Sequence, residues 1–304
     1  MRGLSEKFLR DLQKGGELNA LLDAVHKDDT LCLSIRKDCI NIYYRGGNIC
    51  RVNPRKNGYN FFFKSSYSKE YREKIDAIPP GDCEQWIDNF PFLKTQMDFY
   101  FHENPKLERE FQQVIVRENN NSNIARDTDY FIADIEYENK KNGSRFDLLG
   151  VKWLSTSHHR RSGENAQISF MELKYGDGAL KGSAGIEKHF QDLRNFLCNE
   201  KNKRNIYKEI EILFNQTLQL GLVSGVDKEI YLDSNKKPEF LLLLANHKPV
   251  KKVLLEELEK IMESDVYAEL KELCDVHIAS SSLLGYGLYN DCMQSLEQFV
   301  IAQE

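Results

Sequence analysis

The sequence predicts an α/β protein. Its main domain reads helix, three strands, helix, strand, and a small α+β region with an antiparallel meander precedes it. Three observations carry this prediction. An apolar stripe at helical spacing over 104–116 is followed by three strand-like runs, near 129–137, 145–154 and 167–175. The run Phe240-Leu241-Leu242-Leu243-Leu244-Ala245 is apolar throughout, as in a strand buried on both faces. Ahead of residue 80 the runs are short, with turn residues between them.

In chain order, Leu4 to Val25 carries Leu9, Leu12, Leu18, Leu21 and Leu22 at roughly helical spacing, with Gly15-Gly16 as a break point. Leu31–Ile35, Ile40–Tyr44, Asn48–Val52 and Tyr59–Phe63 read as strands, and Gly46-Gly47 as a hairpin turn. This meander is basic: Arg36, Arg45, Arg51, Lys64, Lys69 and Arg72 are among its cations. Tyr43, Tyr44, Phe61, Phe62, Tyr67 and Tyr71 are interleaved with them. Cations for phosphates and aromatic faces for bases suit a nucleic-acid grip. A core of aromatics with solvated cations outside explains the same pattern equally well. Pro79-Pro80-Gly81 marks the expected boundary, giving domains 1–80 and 81–304.

Beyond it, Cys83 to Tyr100 reads as an apolar helix. Asn104 and Pro105 suit the start of the next, with Leu107, Phe111, Val114 and Ile115 on one face. Asn119–Asn123 is a polar loop, and Asn139–Gly143 a turn between strands. His158-His159-Arg160-Arg161 forms a basic tip between the second and third strands. The glycine-rich stretch Gly176–Gly185 lacks the Gly-Lys-Ser/Thr ending of a phosphate-binding P-loop. Helices are expected at 186–197, 203–222, 253–273 and 294–301, and a last strand at 276–281.

Composition places the chain among ordinary globular proteins, with 29% charged and 41% hydrophobic residues and a net charge of −5. No apolar run approaches the ~20 residues that span a bilayer, and the start of the chain lacks a signal-peptide core. The seven cysteines show no Cys-x-x-Cys pair and mostly sit among apolar neighbours. The expectation is reduced, buried thiols and a cytoplasmic protein, with no membrane partner.

The chemistry concentrates in Gln167-Ile168-Ser169-Phe170-Met171-Glu172-Leu173-Lys174-Tyr175. Alternation puts Glu172 and Lys174 on one face of an otherwise greasy strand. Charges there need partners. The preceding run, Arg145 to Leu154, holds one carboxylate, Asp147. A hairpin between the two strands would let Asp147 and Glu172 share a metal with the Leu173 carbonyl. That is a hard oxygen site suited to Mg2+ or Mn2+, with Lys174 beside the bound water. A cross-strand ion pair is the plain alternative.

Asp followed by Glu-x-Lys on neighbouring strands resembles the PD-(D/E)XK nuclease superfamily. The resemblance covers roughly Asn104 to Ala245 and implies a restriction-endonuclease-like core. It implies a Mg2+-dependent phosphodiesterase acting on DNA, in restriction, repair or defence against mobile elements, alone, as a homodimer or with partner proteins. It adds two residues: a helix glutamate at the metal site, Glu108 with Glu110 in reserve, and a glutamine, Gln191, on the helix after the motif. The alternative is a catalytically inactive nucleic-acid-binding module on the same fold.

Overall fold

The computed structural model describes residues 1–121, 127–139, 143–182, 185–280 and 287–303. Parts of the expected loops and turn (122–123, 140–142, 183–184) and residue 281 lie outside them. The chain is mixed α/β and divides into two units. One comprises Met1–Arg117 with Asn215–Val223, the other Glu118–Phe214 with Ser224–Glu304. The first holds a four-stranded antiparallel sheet, the second a mixed five-stranded sheet.

In the first unit, α1 (Glu6–Leu12) and α2 (Asn19–His26) are separated at Gly15-Gly16. Gly15 takes a φ of 86°, which only glycine adopts cheaply. The meander follows as β1 (Leu31–Ile35), β2 (Ile40–Tyr44), β3 (Gly47–Pro54) and β4 (Tyr59–Phe62). The β2–β3 turn is Arg45-Gly46, one residue earlier than expected. Both residues have positive φ, 49° and 70°, as a type I′ turn requires. Gly47 opens β3 because a side chain there would meet the Phe101 ring at 2.6 Å.

Next come α3 (Arg72–Asp76), α4 (Cys83–Glu103) and α5 (Leu107–Asn120). The unit does not end near residue 80. The meander has an apolar face to cover, and α4 covers it with Trp86, Phe90, Leu93, Met97 and Phe101. Trp86 stacks on Phe61 at 5.9 Å. Pro79 and Pro80 are tied in by their carbonyls, which accept from Trp86 Nε1 and the Phe61 amide. Asn104 does not cap α5; its side chain closes α4 by donating to the Tyr100 carbonyl at 3.0 Å. Half of the meander's aromatics are core: Tyr43, Tyr59, Phe61 and Phe63 are buried, Tyr44 and Tyr67 half-buried, and Phe62 and Tyr71 exposed. Its cations are partly engaged, Arg36 on the Tyr43 hydroxyl and Arg45 on Asp98 and Glu110.

The second unit runs β5 (Tyr130–Glu138), β6 (Arg145–Lys152), β7 (Gln167–Tyr175), α6 (Ile186–Leu197) and α7 (Glu200–Gln219). The last residues of α7 count with the first unit. Then come β8 (Glu239–Ala245), α8 (Lys252–Met262), α9 (Asp265–Leu273), β9 (Asp275–Ser280) and α10 (Leu296–Ile301). Strand order is β5-β6-β7-β8-β9, antiparallel up to β7 and parallel from β7 onward. Every residue of β8 is buried, as the apolar run from Phe240 to Ala245 requires, and the strand's first residue, Glu239, is buried with them. The single helix expected over 253–273 is two, because the Ser264 hydroxyl accepts the Tyr267 N–H and starts α9.

All seven cysteines are free thiols; Cys198 and Cys292 are exposed, unlike the buried Cys32, Cys39, Cys50 and Cys274. Among the described residues no helix is long and apolar enough to cross a membrane.

Candidate functional site

β7 is the strand at which the sheet switches from antiparallel to parallel. Phe170, Glu172 and Lys174 share one of its faces, beside Phe240, Leu242 and Leu244 of β8. α6 covers that face: Phe190 meets Phe240 edge-on at 5.0 Å, and Phe196 lies 6.1 Å from Phe170. Water is therefore excluded from two charged groups. The side chains of Lys174 and Glu172 are 2% and 3% exposed, and Lys174 Nζ donates to Glu172 Oε1 at 2.7 Å. His189 of α6 brings Nε2 to 2.9 Å from the same oxygen, while its Nδ1 is buried without a hydrogen bond. A buried ion pair in apolar surroundings is a poor way to stabilise a fold, since desolvation offsets most of the attraction.

Asp147 joins them from β6. The β6–β7 ladder ends at Leu148 and Met171. One residue on, Asp147 Oδ2 accepts the Leu173 N–H at 2.9 Å, taking the place of a ladder carbonyl. A strand residue turns its N–H and C=O to the same neighbour, so the Leu173 carbonyl faces this edge as well. Across β5 the backbone is strained at Glu136, whose φ is 55°. The β5–β6 register passes around it, from Ile135 with Leu148 to Tyr137 with Phe146. Left-handed backbone at a non-glycine residue is costly, and Glu136, unlike Arg45, takes it within a strand where no turn requires it.

Asp147, Glu172, Leu173 and Lys174 thus occupy one neighbourhood. Gln191 does not reach it: its amide is directed at Glu187 of its own helix, 3.5 Å away. α6 sends His189 instead, two residues and about 200° earlier on the helix. Glu108 lies half-buried in the first turn of α5, within the first unit, where Glu110 gives its carboxylate to Arg45 at 3.1 Å. Among the described residues no group of three or more His, Cys, Asp and Glu gathers as a metal cage. The donors that fit a divalent cation are the Asp147 and Glu172 carboxylates and the Leu173 carbonyl, all hard oxygens.

The end of β7 is braced from below. His247 Nε2 lies 3.2 Å from the Lys174 carbonyl, and its Nδ1 lies 3.3 Å from Asp177, which Lys251 also holds. Burial pushes His247 below the usual histidine range, and the Lys251 ammonium keeps Asp177 below the usual carboxylate range. The expected basic tip is half spent on structure. Arg160 folds inward over the Phe131 and Trp153 rings, at 4.7 and 5.0 Å, and donates to the Leu154 and Thr128 carbonyls. Burial lowers its pKa to about 10. Lys181 of the glycine-rich loop pairs with Glu257 at 3.2 Å.

His189 and Glu136 are the residues that pattern reading passed over. A histidine one turn into a helix carries no motif, and a backbone angle leaves no mark in a strand-like run. The chain matches no family model, no curated protein and no solved structure.

Proposed function

We propose that the chain is a metal-dependent nuclease that hydrolyses phosphodiester bonds in DNA. The observation that carries this reading is Glu172 and Lys174 buried together at the end of β7, with the Asp147 carboxylate anchored on the next peptide. The order α5, β5, β6, β7, α6, β8, with α7 inserted before β8, supports a restriction-endonuclease-like core. Restriction, repair or defence against mobile elements are the settings this activity serves.

Hydrolysis needs an oriented water and stabilisation of charge on the phosphoryl oxygens. Mg2+ or Mn2+ bound by Asp147, Glu172 and the Leu173 carbonyl would supply Lewis acidity and a more acidic water. The protein's own groups do the rest. The Leu173 N–H fixes Asp147, and His189 and Lys174 fix Glu172. The Lys174 ammonium orients the water or holds charge on a phosphoryl oxygen, in surroundings of low dielectric where such a contact is strong.

One observation favours the second reading, an inactive nucleic-acid-binding module: Glu172 Oε1 is already shared by Lys174 and His189. Incubation with linear, circular and single-stranded DNA and with RNA, in Mg2+, Mn2+ or chelator, separates the two. Cleavage that needs the metal and disappears in Asp147→Asn supports the nuclease. Salt-sensitive binding without turnover in any metal supports the module.

A further inference from the structure

α4 carries a second stripe beside the one it buries against the meander. Gln96, Phe99, Tyr100 and Glu103 recur at i, i+3, i+4 and i+7 and so share a face. With the segment Ser66–Tyr71 they line a cleft of about 870 Å³ inside the first unit. Two rings stand open at it, Phe99 at 69% and Tyr71 at 41% exposure. Deeper, Tyr67 and Tyr100 meet edge to face at 5.1 Å. Gln96 is only 8% exposed, and its Oε1 accepts the Ser68 hydroxyl at 2.9 Å. That bond sets the amide so that Nε2 is the group left for the cleft, where it meets no acceptor among the described residues.

We propose that this cleft binds an unpaired nucleobase, stacked on Phe99 and Tyr71, with a ring carbonyl or ring nitrogen accepting from Gln96 Nε2. Aromatic walls select a planar ligand, and stacking tolerates any base because each has a π-face. A base edge replaces the water that Gln96 Nε2 meets in the open cleft, whereas an aliphatic guest would displace that water and leave the donor unpaired. The charged groups of the lining are Lys69 against Glu70 and Glu103, so the cleft does not attract phosphate. Recognition rests on the base, with any phosphate outside. A free nucleoside and an unstacked base of a single strand offer this same chemistry. The proposal involves no residue of the second unit and holds whether or not the chain is a nuclease.

The test uses the full chain in chelator, so that cleavage does not intervene. The probes are uridine, a thymidine oligonucleotide of about ten residues, close to the usual single-strand site size, and a blunt duplex of equal length. Binding of uridine alone assigns the site to free nucleosides; binding of the oligonucleotide, with uridine competing, assigns it to a strand. In either case Phe99→Ala weakens binding about tenfold, the usual loss of one stacked base. Gln96→Leu weakens it about fivefold by removing the donor. Phe62→Ala, at a ring 53% exposed on β4 outside the cleft, leaves it unchanged. Should Gln96→Leu fail to fold, Tyr71→Ala takes its place. The proposal is overturned if neither uridine nor the strand binds, if the duplex binds as well as the strand, if Phe99→Ala and Tyr71→Ala keep full affinity, or if Phe62→Ala weakens binding as much as they do.

Discussion

Two glutamates are buried in the five-stranded sheet, and they are held in different ways. Glu172 takes Lys174 from its own strand and His189 from the covering helix. Glu239 takes Lys152 from β6 at 2.8 Å, His277 from β9 at 2.9 Å and the Tyr130 hydroxyl from β5 at 3.2 Å. All three converge on Oε1, while Glu239 Oε2 and the neighbouring Ser169 hydroxyl are buried without hydrogen bonds. Ser169 stands beside Glu239 in the register, and Glu172 is three residues further along β7. The two carboxylates therefore sit on opposite faces, about 10 Å apart along the strand. Glu239 cross-links four strands. Glu172 instead lies where a second carboxylate, Asp147, and a peptide end of the ladder come together. Burial with a lysine and a histidine is common to both, so it does not mark a site; what sets Glu172 apart is a second carboxylate, Asp147, beside the first, where Glu239 has the Tyr130 hydroxyl.

The largest expected effect that sharpens this contrast is on activity. On the nuclease reading proposed above, Asp147→Asn and Lys174→Met each lower Mg2+-dependent DNA cleavage by at least ~100-fold, while Glu239→Gln leaves the rate of the folded protein unchanged. An equal loss in Glu239→Gln would erase the distinction. Next comes stability, read by denaturant unfolding. Glu172→Gln removes the buried carboxylate that Lys174 and His189 share and costs about 3–5 kcal/mol, whereas Glu172→Leu combined with Lys174→Met returns to within about 1 kcal/mol of the parent or exceeds it. A double variant as unstable as the single one would make the pair structural.

A smaller effect separates the two arginines of the basic tip. Arg160→Ala loses buried cation–π and carbonyl contacts, about 2 kcal/mol, and the exposed Arg161→Ala changes stability by less than about 0.5 kcal/mol. The smallest effect is on pH dependence. His247 has its folded-state pKa below 6.5, so on acidification the unfolded chain takes up the proton first. Its contribution is complete above pH 6.5 and is lost as pH falls through the folded value; Asp177, also depressed, adds a further loss below its ordinary 3.8. Unfolding midpoints measured between neutral and mildly acid pH should decline, and His247→Gln should flatten that decline.

Element by element, the strands were the most legible part of the chain. β1, β2 and β8 follow runs whose apolar content leaves no other way to bury them. Boundaries set by a single polar contact were not legible. The Ser264 cap that splits 253–273 and the Asn104 bond that closes α4 compete with neighbouring choices of equal local propensity. The extent of the first unit was hidden for another reason: a proline pair reads as a linker, but here its carbonyls are used by Phe61 and Trp86.

Local pattern by itself determined that Glu172 and Lys174 share a face of a greasy strand and that Asp147 opens the strand before it, because alternation is a property of the extended backbone. Tertiary structure alone decided that β6 leaves the ladder at Leu148, that Asp147 turns onto the Leu173 peptide, and that α6 presents His189 rather than Gln191. The physical reason is that register and helix rotation are set by packing between distant segments, here Phe190 on Phe240 and Phe196 on Phe170.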